Sequence, residues 1–175
     1  MTAADSGYAR LRFLLEIVEQ EGRHLLGTTG RLFTGTIDAA WVERLAERPE
    51  LAERVDAFAA RFGRMQDTLG DKLVPELLRC LLETPGAALD NLNRVEKLGL
   101  LASVNDWLEA RNLRNRLVHE YLRDPAEFAG ALRRAGELVP LLVTTYNAIN
   151  AFARARFGSD AGQWPGLLTV PPQDG

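Results

Sequence analysis

Apolar side chains along this chain recur at intervals of three and four, and no stretch alternates with the period of two that a half-buried strand requires. Residues 4–26 carry Tyr8, Leu11, Leu14, Leu15, Val18 and Leu25 on one stripe, with Gly27 placed as a C-terminal stop. The glycine-rich run 27–36 follows as a connector. Gly30 and Gly35 have the gap of a phosphate-binding loop, but no lysine follows Gly35 and no strand precedes Gly30. A short helix over 37–46 is stopped by Pro49. Residues 50–83 then make a long helix through Leu51, Val55, Phe58, Ala59, Phe62, Met65, Leu69, Leu73, Leu77 and Leu81, with a kink expected at Pro75.

Residues 87–98 form a shorter helix with Leu89, Leu92, Val95 and Leu98 inward, closed by Gly99. Ser103 with Asp106 three positions later reads as the opening cap of a helix over 102–122. Asp124-Pro125-Ala126-Glu127 opens the last helix, to residue 157, with Pro140 expected to kink it. Glycine and proline dominate thereafter. The expectation is an all-α fold: an up-and-down four-helix-type bundle with extra short helices, spanning residues 1–157, and a mobile tail over 158–175.

The chain has 175 residues, 46% of them hydrophobic, which suffices for one domain with a core. Its formal net charge of −3 excludes a globally basic nucleic-acid binder, so phosphate recognition has to be local. Lys72 and Lys97 are the only lysines; the other 19 bases are arginine. Cys80 is the sole cysteine, which removes intramolecular disulfides and thiolate clusters, and its apolar setting reads as packing rather than nucleophilicity. Two histidines without a matching acid spacing argue against a metal site, and His24 reads as a helix-end residue. No run approaches a membrane span and no leader pattern opens the chain, so a soluble cytoplasmic protein is expected.

The chemistry concentrates in the helix over 102–122. Its apolar arc takes in Trp107, Leu108, Ala110, Leu113, Leu117, Val118, Tyr121 and Leu122, yet Arg111, Arg114 and Asn115 fall inside it and His119 at its edge. Buried guanidinium and amide groups are costly unless paired or held in a cleft. Asn112, Asn115, Arg116 and His119 are related by three- and four-residue steps and can cluster. Arg114 and His119 point about 140° apart on one helix, so a two-fold dimer is the natural way to bring them to one atom. Arginine matches phosphate oxygens and histidine carries protons near neutrality, a pairing suited to metal-free phosphodiester cleavage with the RNA 2′-hydroxyl as nucleophile. The alternative reading of the same residues is an internal hydrogen-bond network in a structural helical adaptor.

Arg114-Asn115-Arg116-Leu117-Val118-His119-Glu120-Tyr121 resembles the motif of the HEPN superfamily, and its Arg-x4-His-x-Tyr form resembles the HepT-like branch of HepT–MntA toxin–antitoxin pairs. Gly70-Asp71-Lys72-Leu73, Asn93-Arg94-Val95-Glu96-Lys97-Leu98-Gly99 and Trp107-Leu108-Glu109-Ala110-Arg111-Asn112 share the likeness, which covers roughly residues 51–157. The resemblance implies a homodimeric helical bundle and a metal-independent endoribonuclease without cofactor. It implies catalytic Arg114 and His119 with Asn115 shaping the site; Arg111, Asn112 and Arg116, neighbours on the same helix, are expected in support. It also implies a small nucleotidyltransferase antitoxin that transfers AMP to Tyr121. Some relatives of this fold are described as non-catalytic substrate-binding companions of nucleotidyltransferases, which is the second expectation. The long first helix and the 27–36 run make this chain larger than the compact family core.

Overall fold

The period of three and four is realised as helices throughout. A computed structural model describes residues 8–119, 123–158 and 164–170, and among them no strand occurs. Helix α1 spans Ala9–Leu32 and α2 spans Ala39–Glu43, followed by a 3₁₀ turn, Arg44–Glu47. Helix α3, Pro49–Thr68, continues through a π-helical turn, Leu69–Leu73, into α4, Val74–Cys80. Then come α5, Ala88–Lys97, α6, Val104–His119, and α7, Pro125–Phe157. Helices α1, α3, α6 and α7 contribute to one core, in which Phe58, Phe62, Met65, Trp107 and Tyr146 are fully enclosed. None of the described helices is long and apolar enough to cross a membrane.

Gly27 does not end the first helix, which runs five residues further to Leu32. Thr28 and Thr29 donate their hydroxyls to the carbonyls of His24 and Leu25, and Thr28 and Leu32 extend the buried stripe by two more contacts. Arginines of α3 complete the end: Arg61 bonds the Thr28 hydroxyl, and Arg54 donates to the Arg31 carbonyl at 3.2 Å. Carbonyls left over at a helix C-terminus need such donors. The connector is therefore confined to the few residues between Leu32 and Ala39, where Asp38 caps α2 by accepting from the Trp41 N–H at 2.8 Å.

The disturbance expected at Pro75 lies just ahead of it. Proline has no N–H for the carbonyl four residues back, and the backbone widens instead: the Val74 N–H reaches the Leu69 carbonyl, five residues earlier. The helix ends at Cys80, before the expected residue 83. Burial pushes the Cys80 thiol up to about 11, so it is protonated at neutral pH. Helix α5 closes on Gly99 at φ +74, with the Gly99 and Leu100 N–H groups bonded back to Glu96 and Val95. Helix α7 is continuous through Pro140. Leu89, expected inward, is 48% exposed.

The expectation of a mobile tail is corrected for residues 164–170, while 159–163 and 171–175 lie outside the described residues. Trp164 and Leu168 are buried, and Leu168 packs where a side chain on Gly22 of α1 would collide with it. Polar groups of α7 clip the backbone: Tyr146 donates to the Gly166 carbonyl at 2.8 Å, and Asn150 donates to that of Pro165 at 2.9 Å. Asn147 both donates to and accepts from Leu168. Composition alone missed this because the anchors are two side chains in a Gly/Pro-rich run. Trp164→Ala is expected to lower the unfolding free energy by about 3 kcal/mol in denaturant titrations, with helical circular dichroism intact. A loss below about 0.5 kcal/mol would mean that the docked segment holds nothing.

Between α1 and α3, Glu21 accepts from the Thr68 hydroxyl at 3.0 Å while its second oxygen is buried without a partner among the described residues. Desolvation raises its pKa, opposed by the Thr68 bond and by Arg64. A carboxyl raised in the folded state loses stability as pH climbs from its unfolded to its folded pKa, and the penalty stands in full above both. Glu21→Gln should therefore be more stable than the parent at pH 7, with the difference vanishing by about pH 3, where the carboxyl is protonated in both states. Thermal melts at the two pH values check this; a variant less stable at pH 7 contradicts it.

Candidate functional site

Helix α6 starts where its sequence says. The Ser103 hydroxyl accepts from the Asp106 N–H at 3.1 Å, and Glu96, from the end of α5, takes the otherwise orphaned Val104 N–H at 2.6 Å. The buried stripe is Val104, Trp107, Ala110, Leu113 and Leu117. The expected arc was too broad: Leu108 and Val118 are 37% and 58% exposed. Arg111 and Arg114 consequently lie on a flank of the stripe rather than within it, and Asn115, expected inside, is exposed.

That flank rests on α3, which runs antiparallel to it. Gly63 faces Arg114 and Gly70 faces Trp107, so a seven-residue step on one helix meets a seven-residue step on the other. A Cβ on Gly63 would stand 2.9 Å from the Arg114 Nε and 3.0 Å from its Cγ, and one on Gly70 would stand 3.0 Å from the Trp107 ring. Neither glycine needs a special backbone angle; each is there because the neighbouring helix comes too close for a side chain. Between them, fully buried Gln66 donates its amide to the Trp107 carbonyl at 3.1 Å.

Two carboxylates of the same face receive the arginines. Asp67, one turn beyond Gly63, accepts from an Arg114 terminal nitrogen at 2.9 Å. Asp71, one turn further, takes Arg111 through both oxygens at 3.0 and 3.1 Å. The Arg114 and Asp67 side chains are 36% and 39% exposed, so this pair is at the surface, with solvent on one side.

The opposite flank meets α7. Arg134 grips Glu109 with two bonds of 2.8 and 2.9 Å, which lower the Glu109 pKa and raise that of Arg134. Glu109, Asn112, Leu113, Asn115 and Arg116 line a shallow, open depression there. Thus the predicted residues divide. Asn112, Asn115 and Arg116 share one concavity, whereas Arg114 and Arg111 lie along α3. His119 is the last residue of α6, and its side chain is outside the described residues, as is Tyr121.

Sequence reasoning missed Gly63, Gln66 and Asp67, and it quoted Gly70 and Asp71 only within a resemblance. The legible signal was the repeat itself: two glycines seven apart flanking a glutamine and an acid, opposite a tryptophan and an arginine also seven apart. Comparison with protein-family models, curated proteins and solved structures returned no match to this chain.

The two kinds of polar contact should separate in stability measurements. Gln66→Ala leaves a void in the core and removes the amide bond to the Trp107 carbonyl, partly offset by loss of a buried amide oxygen that has no partner among the described residues, and is expected to cost about 2–3 kcal/mol. Asp67→Asn, at a surface ion pair, should stay within about 1 kcal/mol of the parent. Equal losses for both in urea titrations would contradict this division.

Proposed function

We propose that this chain is a HEPN-type, metal-independent endoribonuclease of the HepT-like kind, acting as a homodimer. The observation that carries the reading is the setting of Arg114: a guanidinium at the surface, its stem laid over Gly63 and one nitrogen held by Asp67. An arginine so held presents a fixed fork to a phosphate at little entropic cost. Buried network arginines of a purely structural adaptor would be enclosed on all sides, and this one is 36% exposed.

In this reading the RNA 2′-hydroxyl attacks the adjacent phosphorus and the 5′-oxygen leaves. Arg114 balances charge gathering on the phosphoryl oxygens, and His119 moves the proton. Residue 119 follows Arg114 by about 140° around α6, so the imidazole serving a given Arg114 belongs to the second copy. The exposed amides of Asn112 and Asn115 line the neighbouring depression and suit contacts to the same strand. Regulation follows by transfer of AMP from ATP to the Tyr121 oxygen with release of pyrophosphate, catalysed by a small nucleotidyltransferase antitoxin. The added phosphate would set negative charge near the motif and repel RNA.

Purified protein should cleave single-stranded RNA in the presence of a chelator. Arg114→Ala and His119→Ala should each lower that rate by about 10²–10⁴-fold while remaining folded. Co-expression with a nucleotidyltransferase encoded beside it should add one AMP, and Tyr121→Phe should abolish the addition. A folded parent that forms the complex but cleaves no RNA would support the non-catalytic docking subunit instead.

A further inference from the structure

We infer that Asp67 is a positioning residue for Arg114: it aims the guanidinium at the scissile phosphate without touching the substrate. The inference rests on the nuclease reading above and adds to it a residue on a different helix from the motif. Three observations converge. Among the described residues, Asp67 takes one terminal nitrogen of Arg114, at 2.9 Å, and a guanidinium has further N–H donors to offer a phosphate. Gly63, one turn earlier on α3, leaves the trough in which the arginine stem lies, and a Cβ there would press on Nε at 2.9 Å. The pair is more than one-third exposed at both ends, so it contributes little to folding. Asp71 repeats the device one turn on, holding Arg111 with both oxygens.

A carboxylate beside a phosphate-binding arginine weakens the long-range attraction for RNA. Its presence is therefore informative: what it supplies is direction, not charge. Loss of Asp67 should accordingly act on the chemical step and spare binding. Asparagine at the same position can accept only a neutral bond and lets the fork swing, while glutamate keeps the charge with one more methylene.

The test is steady-state cleavage of a fluorescent single-stranded RNA oligonucleotide in chelator, with folding of each variant checked by circular dichroism. Asp67→Asn should lower kcat roughly tenfold to a hundredfold with KM unchanged or reduced, since a repelling charge has gone. Asp67→Glu should recover part of that loss. Gly63→Ala keeps every charge but displaces the stem, and should reproduce the fall in kcat; it decides the matter should Asp67→Asn not fold. In an Arg114→Ala background, Asp67→Asn should add no further loss. Wild-type kcat in Asp67→Asn and Gly63→Ala, with Arg114→Ala inactive, overturns the role of Asp67 and leaves the nuclease reading standing. Wild-type cleavage by Arg114→Ala overturns both.

Discussion

The closeness of α6 to α3 governs the rest of the motif region. Helices carrying ordinary side chains pack about 8–10 Å apart. Here Gly63 and Gly70 remove the two side chains that would keep Arg114 and Trp107 at a distance. Trp107 can then be enclosed to 1% exposure and Gln66 can reach its carbonyl. The arginine stem lies in a groove instead of extending into solvent. With α6 fixed in this rotation, its other flank meets Arg134 of α7 beside the depression that holds Asn112 and Asn115, and Leu108 and Val118 are left exposed.

The π-helical turn at Leu69–Leu73 belongs to the same device. Pro75 withdraws one donor from the ladder, and the helix answers by widening one turn ahead, at the turn that contains Gly70 and Asp71. Extra residues per turn change which side chains face α6, so the turn that accommodates the proline also sets where Asp71 meets Arg111. A π turn costs hydrogen-bond geometry, and a straight α-helix with a substituted Pro75 would be locally cheaper. Its place opposite the motif helix gives that cost a structural return.

Helix positions were legible in the sequence because burial has the helical period. Leu51, Val55, Phe58, Phe62, Met65 and Leu69 are all buried on the stripe the spacing drew. The caps at Ser103 and Asp124 were legible too, since each depends on a local side-chain bond. What escaped depends on neighbours. Gly27 stops an isolated helix, but not one whose threonines and whose partner's arginines serve its carbonyls. A Gly/Pro-rich run reads as mobile until Asn147 and Asn150 of α7 are found holding its backbone. For the site, periodicity placed Arg111 and Arg114 inside the core face when they lie on its flank, and it could not supply the aspartates, because nothing in α6 names its partner helix.

The arrangement of charge then limits what α6 can do. Among the described residues, Arg111 and Arg114 are each balanced by an aspartate, and Arg134 is shared between Glu109 and Glu137. On the nuclease reading proposed above, an overall charge of −3 would give RNA little long-range attraction, and binding would depend on short contacts made after encounter. Asp67 of α3 and Asp71 of the π turn thus pair Arg114 and Arg111 of the motif helix at an edge that stays partly open to solvent.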